Sequence, residues 1–366
     1  MKNIILAIGT IIVVALVAYV FFDKEAMPTP NPQNNTNTIP PISIIAEGLE
    51  IPWDIAFVDG GYLVTQRTGS VVAIDKDGNK REIQIQGVKR TGEGGLLGIV
   101  LHPDFETNRL LYLYMTAPGR TNETENRVVR FKYENGTLTD DGVIINNIPG
   151  AIYHDGGRME FGPDGMLYVT TGDATRDVIA QNKNSLGGKI LRLEDDGKIP
   201  ADNPFGTAVW SYGHRNPQGL AWDSQGQLWE TEHGRSGVRS GMDEINLIEK
   251  GANYGWPDIE GDETKAGMET PALHSGPDDT WAPASAAIIG NRLFFGGLLG
   301  EALYEVTISG NSVTNLKEHF KGEYGRIRTV RVGPDGMLYI TTSNRDGRGS
   351  PNTGDDKIIR VNPEGL

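Results

Sequence analysis

Two segments of the chain are nearly the same sentence, "FGPDGMLYVTTGD" (Phe161 to Asp173) and "VGPDGMLYITTSN" (Val332 to Asn344). Each joins a Pro-Asp-Gly turn to a strand with alternating apolar residues. Weaker copies are "FVDGGYLVTQRTG" from Phe57, "LHPDFETNRLLYLYMTAP" from Leu101, "WDSQGQLWETEHG" from Trp222 and "IIGNRLFFGGLLG" from Ile288, which makes six. A second strand follows most copies, as in "GSVVAID", "GKILRLEDDG" and "DKIIRVN". A unit this small cannot bury both faces of its own sheet, so it must stack on its neighbours, and repetition at such a period predicts a propeller. The expected fold is all-β, a six-bladed β-propeller of four-stranded antiparallel blades over residues 42–366. "ISIIAEGL", from Ile42, is the candidate to close the ring against the C-terminal "DKIIRV". The 48 glycines and 20 prolines suit many tight turns, and 366 residues do not demand a second domain.

The N-terminal end has a different composition. Residues 4–22 are uncharged and apolar between Lys2 and Asp23, long enough to span a bilayer, so 1–23 is read as a signal peptide or an N-terminal membrane anchor. Lysine on the N-terminal side predicts export of the remainder to a periplasmic, extracellular or cell-surface location, with membrane contact only through 4–22 if that segment is retained. Residues 24–41, rich in proline, asparagine and threonine, read as a disordered linker. The chain has no cysteine, which excludes disulfides and a lipid-modified cysteine. A net charge of -14 argues against nucleic acid or an anionic membrane surface as the main partner.

Propellers gather loops from successive blades around one end of a central channel. "YHDGGRM" (Tyr153 to Met159) lies just before the third repeat strand, where a loop reaches that mouth. Comparable positions hold "GEGGLLGIVLHPDF" from Gly92, "WSYGHRNPQGLAWD" from Trp210, "EHGRSGVRSGMDEINLIEKGANYGWP" from Glu232 and "GRIRTVRVGPDG" from Gly325. In order, and over essentially all of 42–366, these motifs resemble the soluble quinoprotein sugar dehydrogenases, the aldose sugar dehydrogenase and soluble glucose dehydrogenase family. That family uses pyrroloquinoline quinone (PQQ) and calcium on a six-bladed propeller.

The resemblance implies oxidation of the anomeric hydroxyl of an aldose sugar to a lactone, by hydride transfer to PQQ, with an electron acceptor that the sequence does not identify. It implies His154 as the base, oriented by Asp173, and Arg215 beside the quinone carbonyls with Asn216 nearby. Glu93 stands where relatives have a glutamine or similar group against the cofactor. Arg326 and Arg328 alternate about Ile327, so on a strand both face one side, and the resemblance makes them the grip on the cofactor carboxylates. The catalytic calcium would rest on the carbonyls of Gly234 and Arg235, with Asp243 and Glu244 supporting that loop. Asp155 reads as a turn residue, and "DIEGDE" from Asp258 is either a second calcium site or a surface acidic loop.

One departure stands out. Relatives carry a cofactor-contacting lysine on the fifth repeat, and the best register puts Leu299 there; Lys317 and Lys321 fall in a separate loop. The competing reading is therefore a non-catalytic ligand- or partner-binding propeller that has lost PQQ. A calcium-dependent lactonase would need metal-binding side chains spread across the blades, and the sequence shows no such set.

Overall fold

The computed structural model describes residues 41–119, 123–236 and 240–366. The segments expected to be a signal or anchor (1–23) and a linker (24–41) lie, Pro41 apart, outside the described residues. After β1 (Ile42–Ala46) comes a first blade of β2 (Pro52–Val58), β3 (Gly61–Gln66), β4 (Ser70–Asp75) and β5 (Lys80–Gln84). The second blade is β6 (Leu96–Leu101), β7 (Leu110–Pro118), β8 (Thr124–Glu134) and β9 (Thr137–Gly150). The third is β10 (Met159–Phe161), β11 (Leu167–Thr171), β12 (Lys189–Leu193) and β13 (Val209–Tyr212). The fourth is β14 (Pro217–Trp222), β15 (Leu228–Glu232), β16 (Glu244–Ile248) and β17 (Leu273–His274). The fifth is β18 (Pro283–Ile289), β19 (Arg292–Gly297), β20 (Leu303–Ser309) and β21 (Ser312–His319). The sixth joins β22 (Ile327–Val332), β23 (Leu338–Thr342) and β24 (Ile358–Val361) to β1 as its outer strand.

All six sheets are antiparallel, and their first strands touch in the order β2, β6, β10, β14, β18, β22 and back to β2, a closed six-bladed propeller. The ring closes as expected, with Ile42 opposite Val361 and Ile44 opposite Ile359. Each of the six repeats falls on the second strand of its blade.

The near-identical repeats have a shared physical cause. In the third blade Asp164 accepts the Met166 amide (3.1 Å), the Tyr168 hydroxyl (3.0 Å) and Arg192 Nε (2.9 Å). In the sixth, Asp335 accepts the Met337 amide (3.2 Å), the Tyr339 hydroxyl (3.1 Å) and Arg360 Nε (2.6 Å). One aspartate thus ties the turn to the second and third strands in both blades. Alternation does the rest. On β11, Leu167 and Val169 pack toward the second blade while Tyr168 packs toward the fourth. On β23, Leu338 and Ile340 pack toward the fifth blade and Tyr339 toward the first. The core is accordingly six apolar seams, one between each pair of adjacent blades.

Polar groups fill the channel. Asp54 on β2 is fully buried, accepts Arg331 of β22 through both oxygens (3.0 and 2.8 Å) and lies 2.6 Å from Arg158 Nη1, just before β10. The first and third blades are not neighbours, so this cluster crosses the channel. Arg158 also stacks on Trp53 with its guanidinium 4.4 Å from the ring, and Arg331 meets Glu160. The arginine of "YHDGGRM" is therefore a structural plug. Lys317 lies on β21, not in a loop, because its side chain pairs with Glu305 on the neighbouring strand (3.0 Å). Lys321, beyond that strand, pairs with Glu318 (2.7 Å).

Candidate active site

The loops leading into each first strand and those joining second to third strands share one end of the propeller. There they surround a cavity of about 500 Å³. Its lining includes Glu93, His154, Arg215 and Asn216, with Gly234, Arg235 and Arg326. Asp173 stands behind His154, and Arg328 lies lower, buried, beside a narrow crevice under the cavity.

His154 occupies the left-handed region (φ 62°), a conformation uncommon outside glycine though tolerated by histidine. Glycines make it possible. A Cβ on Gly172 would lie 2.0 Å from the His154 carbonyl oxygen, and one on Gly156 (φ 65°) would lie 2.7 Å from the Thr170 carbonyl oxygen. Asn216 Oδ1 accepts the Gly156 amide (3.1 Å) and Glu93 Oε2 accepts the His154 amide (3.1 Å). The loop is thus clamped from the second and fourth blades.

The His154 ring donates from Nδ1 to Asp173 Oδ1 at 2.7 Å. Asp173 is buried and also accepts the Thr175 amide (2.7 Å) and, on Oδ2, Trp256 Nε1 (2.9 Å). A carboxylate held by three donors fixes the ring tautomer, leaving Nε2, which has no protein partner among the described residues, as the basic nitrogen.

Arg215 donates to Ser236 Oγ (3.1 Å) and to the His233 carbonyl (3.4 Å), and lies 5.3 Å from the Trp256 ring. Its Nε is buried without a partner in the protein, a donor available to a ligand. Arg326 is engaged more fully, with Nε and Nη2 on Asp346 Oδ2 (2.9 and 2.8 Å) and Nη1 on the Leu298 carbonyl (2.8 Å). Arg328 reaches Gln218 Oε1 (3.2 Å). Burial and the neighbouring Arg67 and Arg326 drop its guanidinium to about 9, against the pull of Asp346.

Burial raises the Glu93 carboxyl, but His233, Arg348 and the His154 amide bring it down to about 2. Because burial lowers the His233 imidazole to about 4, Arg348 is the cation that remains beside Glu93 at neutral pH. Asp243 Oδ1 accepts the Gly234 amide (2.8 Å), and its Oδ2 accepts the Thr280 hydroxyl and the Trp281 and Ala282 amides. It therefore shapes the loop whose carbonyls are the candidate calcium ligands. The Arg235 side chain pairs with Glu260 (2.5 Å). The carboxylates of "DIEGDE" do not converge: Asp258 pairs with Lys265 and Asp262 with His274. Among the described residues, the cluster with metal-ligand spacing is His214, in the loop entering the fourth blade, with Glu230 and Glu232 on β15, local to one place rather than spread around the ring.

Three residues were not anticipated. Trp256 supports Asp173 from 83 positions away, and Arg348 pairs with Glu93 from 255 away. Asp155, read as a turn residue, is buried at the edge of the crevice. Leu299 lines the cavity and is 56% exposed.

Among the described residues the cavity is lined by four arginines (Arg215, Arg235, Arg326, Arg348); three are paired with Glu260, Asp346 and Glu93, while the buried Arg215 Nε has no partner, a donor that suits an anionic ligand beside an oriented imidazole. The family model for glucose/sorbosone dehydrogenases matches residues 49–359. Aldose sugar dehydrogenase YliI of Escherichia coli is 32% identical over 88% of this chain and 92% of its own. Quinoprotein glucose dehydrogenase B of Acinetobacter calcoaceticus is 32% identical over 56% of this chain and 49% of its own. The PQQ-bound aldose sugar dehydrogenase of Streptomyces coelicolor superposes with a TM-score of 0.80 at 38% identity, covering 87% of this chain and 97% of that one. A match spanning all six blades, on a propeller with this cavity, makes the chain a member of the glucose/sorbosone dehydrogenase family.

Proposed function

We propose that the protein is an exported, PQQ- and calcium-dependent dehydrogenase that oxidises the anomeric hydroxyl of aldose sugars to lactones. The observation that carries this reading is the His154–Asp173 pair at 2.7 Å, set against a cavity lined by four arginines. PQQ fits that chemistry, since its carboxylates match the guanidiniums and the orphaned Arg215 Nε offers a donor to a carbonyl oxygen. Arg215, Asn216 and Arg326 would hold it, with Arg328 from below and Glu93 clamping the His154 loop beside it, and the Gly234 and Arg235 carbonyls would hold calcium.

The oxidation removes a proton from the hydroxyl and a hydride from C1. Bound PQQ supplies the hydride acceptor, and calcium the Lewis acid that polarises it. His154 Nε2 takes the hydroxyl proton, and Asp173 stabilises the imidazolium that forms. Arg215 places positive charge where negative charge develops. The glycine-walled loop keeps His154 in the one backbone conformation that points its ring at the cavity.

The test is to add PQQ and calcium to purified apoprotein, supply glucose and follow reduction of an artificial electron-accepting dye. Dye reduction that requires both PQQ and sugar is expected. A folded protein that binds no PQQ even with calcium, and oxidises none of a panel of aldoses, is the non-catalytic propeller of the competing reading.

A further inference from the structure

Arg348 lies in the loop between β23 and β24 and lines the cavity, with its side chain 51% exposed. Its Nη1 donates to Glu93 Oε1 at 2.7 Å, and its guanidinium carbon lies 5.4 Å from the Tyr153 ring. Among the described residues the guanidinium makes no other hydrogen bond, so most of its five donors are free to meet a ligand. Arg326, by contrast, already uses three nitrogens on Asp346 and the Leu298 carbonyl.

The surroundings carry more positive charge than they neutralise. Arg67, Arg326, Arg328 and Arg348 share this corner with Asp346 and Glu93. Arg67 donates to the Asp346 carbonyl (2.9 Å) and leaves its buried Nε without a partner. Four guanidiniums against two carboxylates is a repulsive arrangement that an anionic ligand relieves. Glu93 would also repel such a ligand were Arg348 not beside it.

We infer that Arg348 is a further ligand-binding residue, donating from the cavity wall to a carboxylate of the bound cofactor, and so supplies the basic contact missing at Leu299. The inference rests on the PQQ reading above. It concerns affinity for the cofactor, not the chemical step.

The experiment is a titration of apoprotein with PQQ in the presence of calcium, followed by PQQ absorbance, for wild type, Arg348→Ala, Arg348→Lys, Glu93→Gln and the double variant Arg348→Ala/Glu93→Gln. Thermal melts confirm that each is folded. Loss of one charge-assisted contact should weaken binding by about tenfold to a hundredfold in Arg348→Ala, with partial recovery in Arg348→Lys. The double variant separates contact from neutralisation. If Arg348 touches the cofactor, the double variant binds more weakly than Glu93→Gln alone; equal affinity in those two would mean that Arg348 only masks Glu93, and would overturn the inference. Unchanged affinity in Arg348→Ala overturns it too, without touching the proposed function. Wild type that binds no PQQ defeats both.

Discussion

Replacing Asp173 with asparagine keeps the shape of the side chain and removes one charge and one acceptor. Aspartate here accepts from His154 Nδ1 and the Thr175 amide on one oxygen and from Trp256 Nε1 on the other. Asparagine cannot satisfy all three. With its oxygen toward His154, its NH2 faces the Trp256 N–H, donor against donor. Turned over, the NH2 donates to His154 Nδ1 and moves the ring proton to Nε2, the nitrogen that must be free to act as base. In either orientation the charge that stabilises the imidazolium is gone. A hydrogen bond to a charged group contributes about 1.5–3 kcal/mol, and losing that much at the transition state slows the chemical step roughly tenfold to 150-fold. The assay is kcat at saturating glucose on protein loaded with PQQ and calcium, with PQQ affinity measured separately. A folded, loaded asparagine variant turning over within twofold of wild type would refute the orienting role of Asp173.

Two further predictions concern stability. Asp54→Asn leaves Arg158 and Arg331 buried around a neutral group and should cost about 3–5 kcal/mol by urea unfolding; a loss under 1 kcal/mol would show that the channel cluster is dispensable. Asp155 is held near 7 by burial, against hydrogen bonds from Asn126 and the Ala151 amide. A carboxyl raised in the folded state favours folding below its unfolded value near 3.8, and that advantage is lost as pH rises through about 7. Asp155→Asn should therefore gain stability over wild type between pH 5 and pH 8, by at most about 1.4 kcal/mol per pH unit, and parallel melting curves at both pH values would contradict this.

The blades were legible because the Asp-turn, the alternating second strand and the arginine of the third strand are local and repeat, so Asp164 and Asp335 announce the same structure twice. The outer strands were harder to read. β17 is two residues long, and most of β9 is solvent-facing with no alternation to detect. At the site, His154, Asp173, Arg215 and Asn216 were reached through the resemblance of several motifs together to the family, not from any one loop, since on local sequence alone Asp173 reads as a turn residue. What escaped was pairing between blades: Trp256 reaches Asp173 from the next blade, and Arg348 on Glu93, and Arg331 and Arg158 on Asp54, join segments that closure of the propeller brings together. The alternation of Arg326 and Arg328 was readable too. Their difference in depth was not, because Arg326 is drawn aside by Asp346. Asp155 was read from its turn sequence, whereas the Asn126 side chain and the Tyr114 hydroxyl, which donates to its carbonyl, draw it inward.

On the proposed mechanism His154 removes a proton from a sugar whose hydride passes to PQQ. Stopped-flow absorbance of the PQQ-loaded protein mixed with glucose reads that event directly, in wild type and in His154→Ala. Reduction of the cofactor is expected in wild type, and in the variant the same PQQ affinity with reduction slowed by about a hundredfold to ten-thousandfold. Equal rates in the two proteins would contradict it.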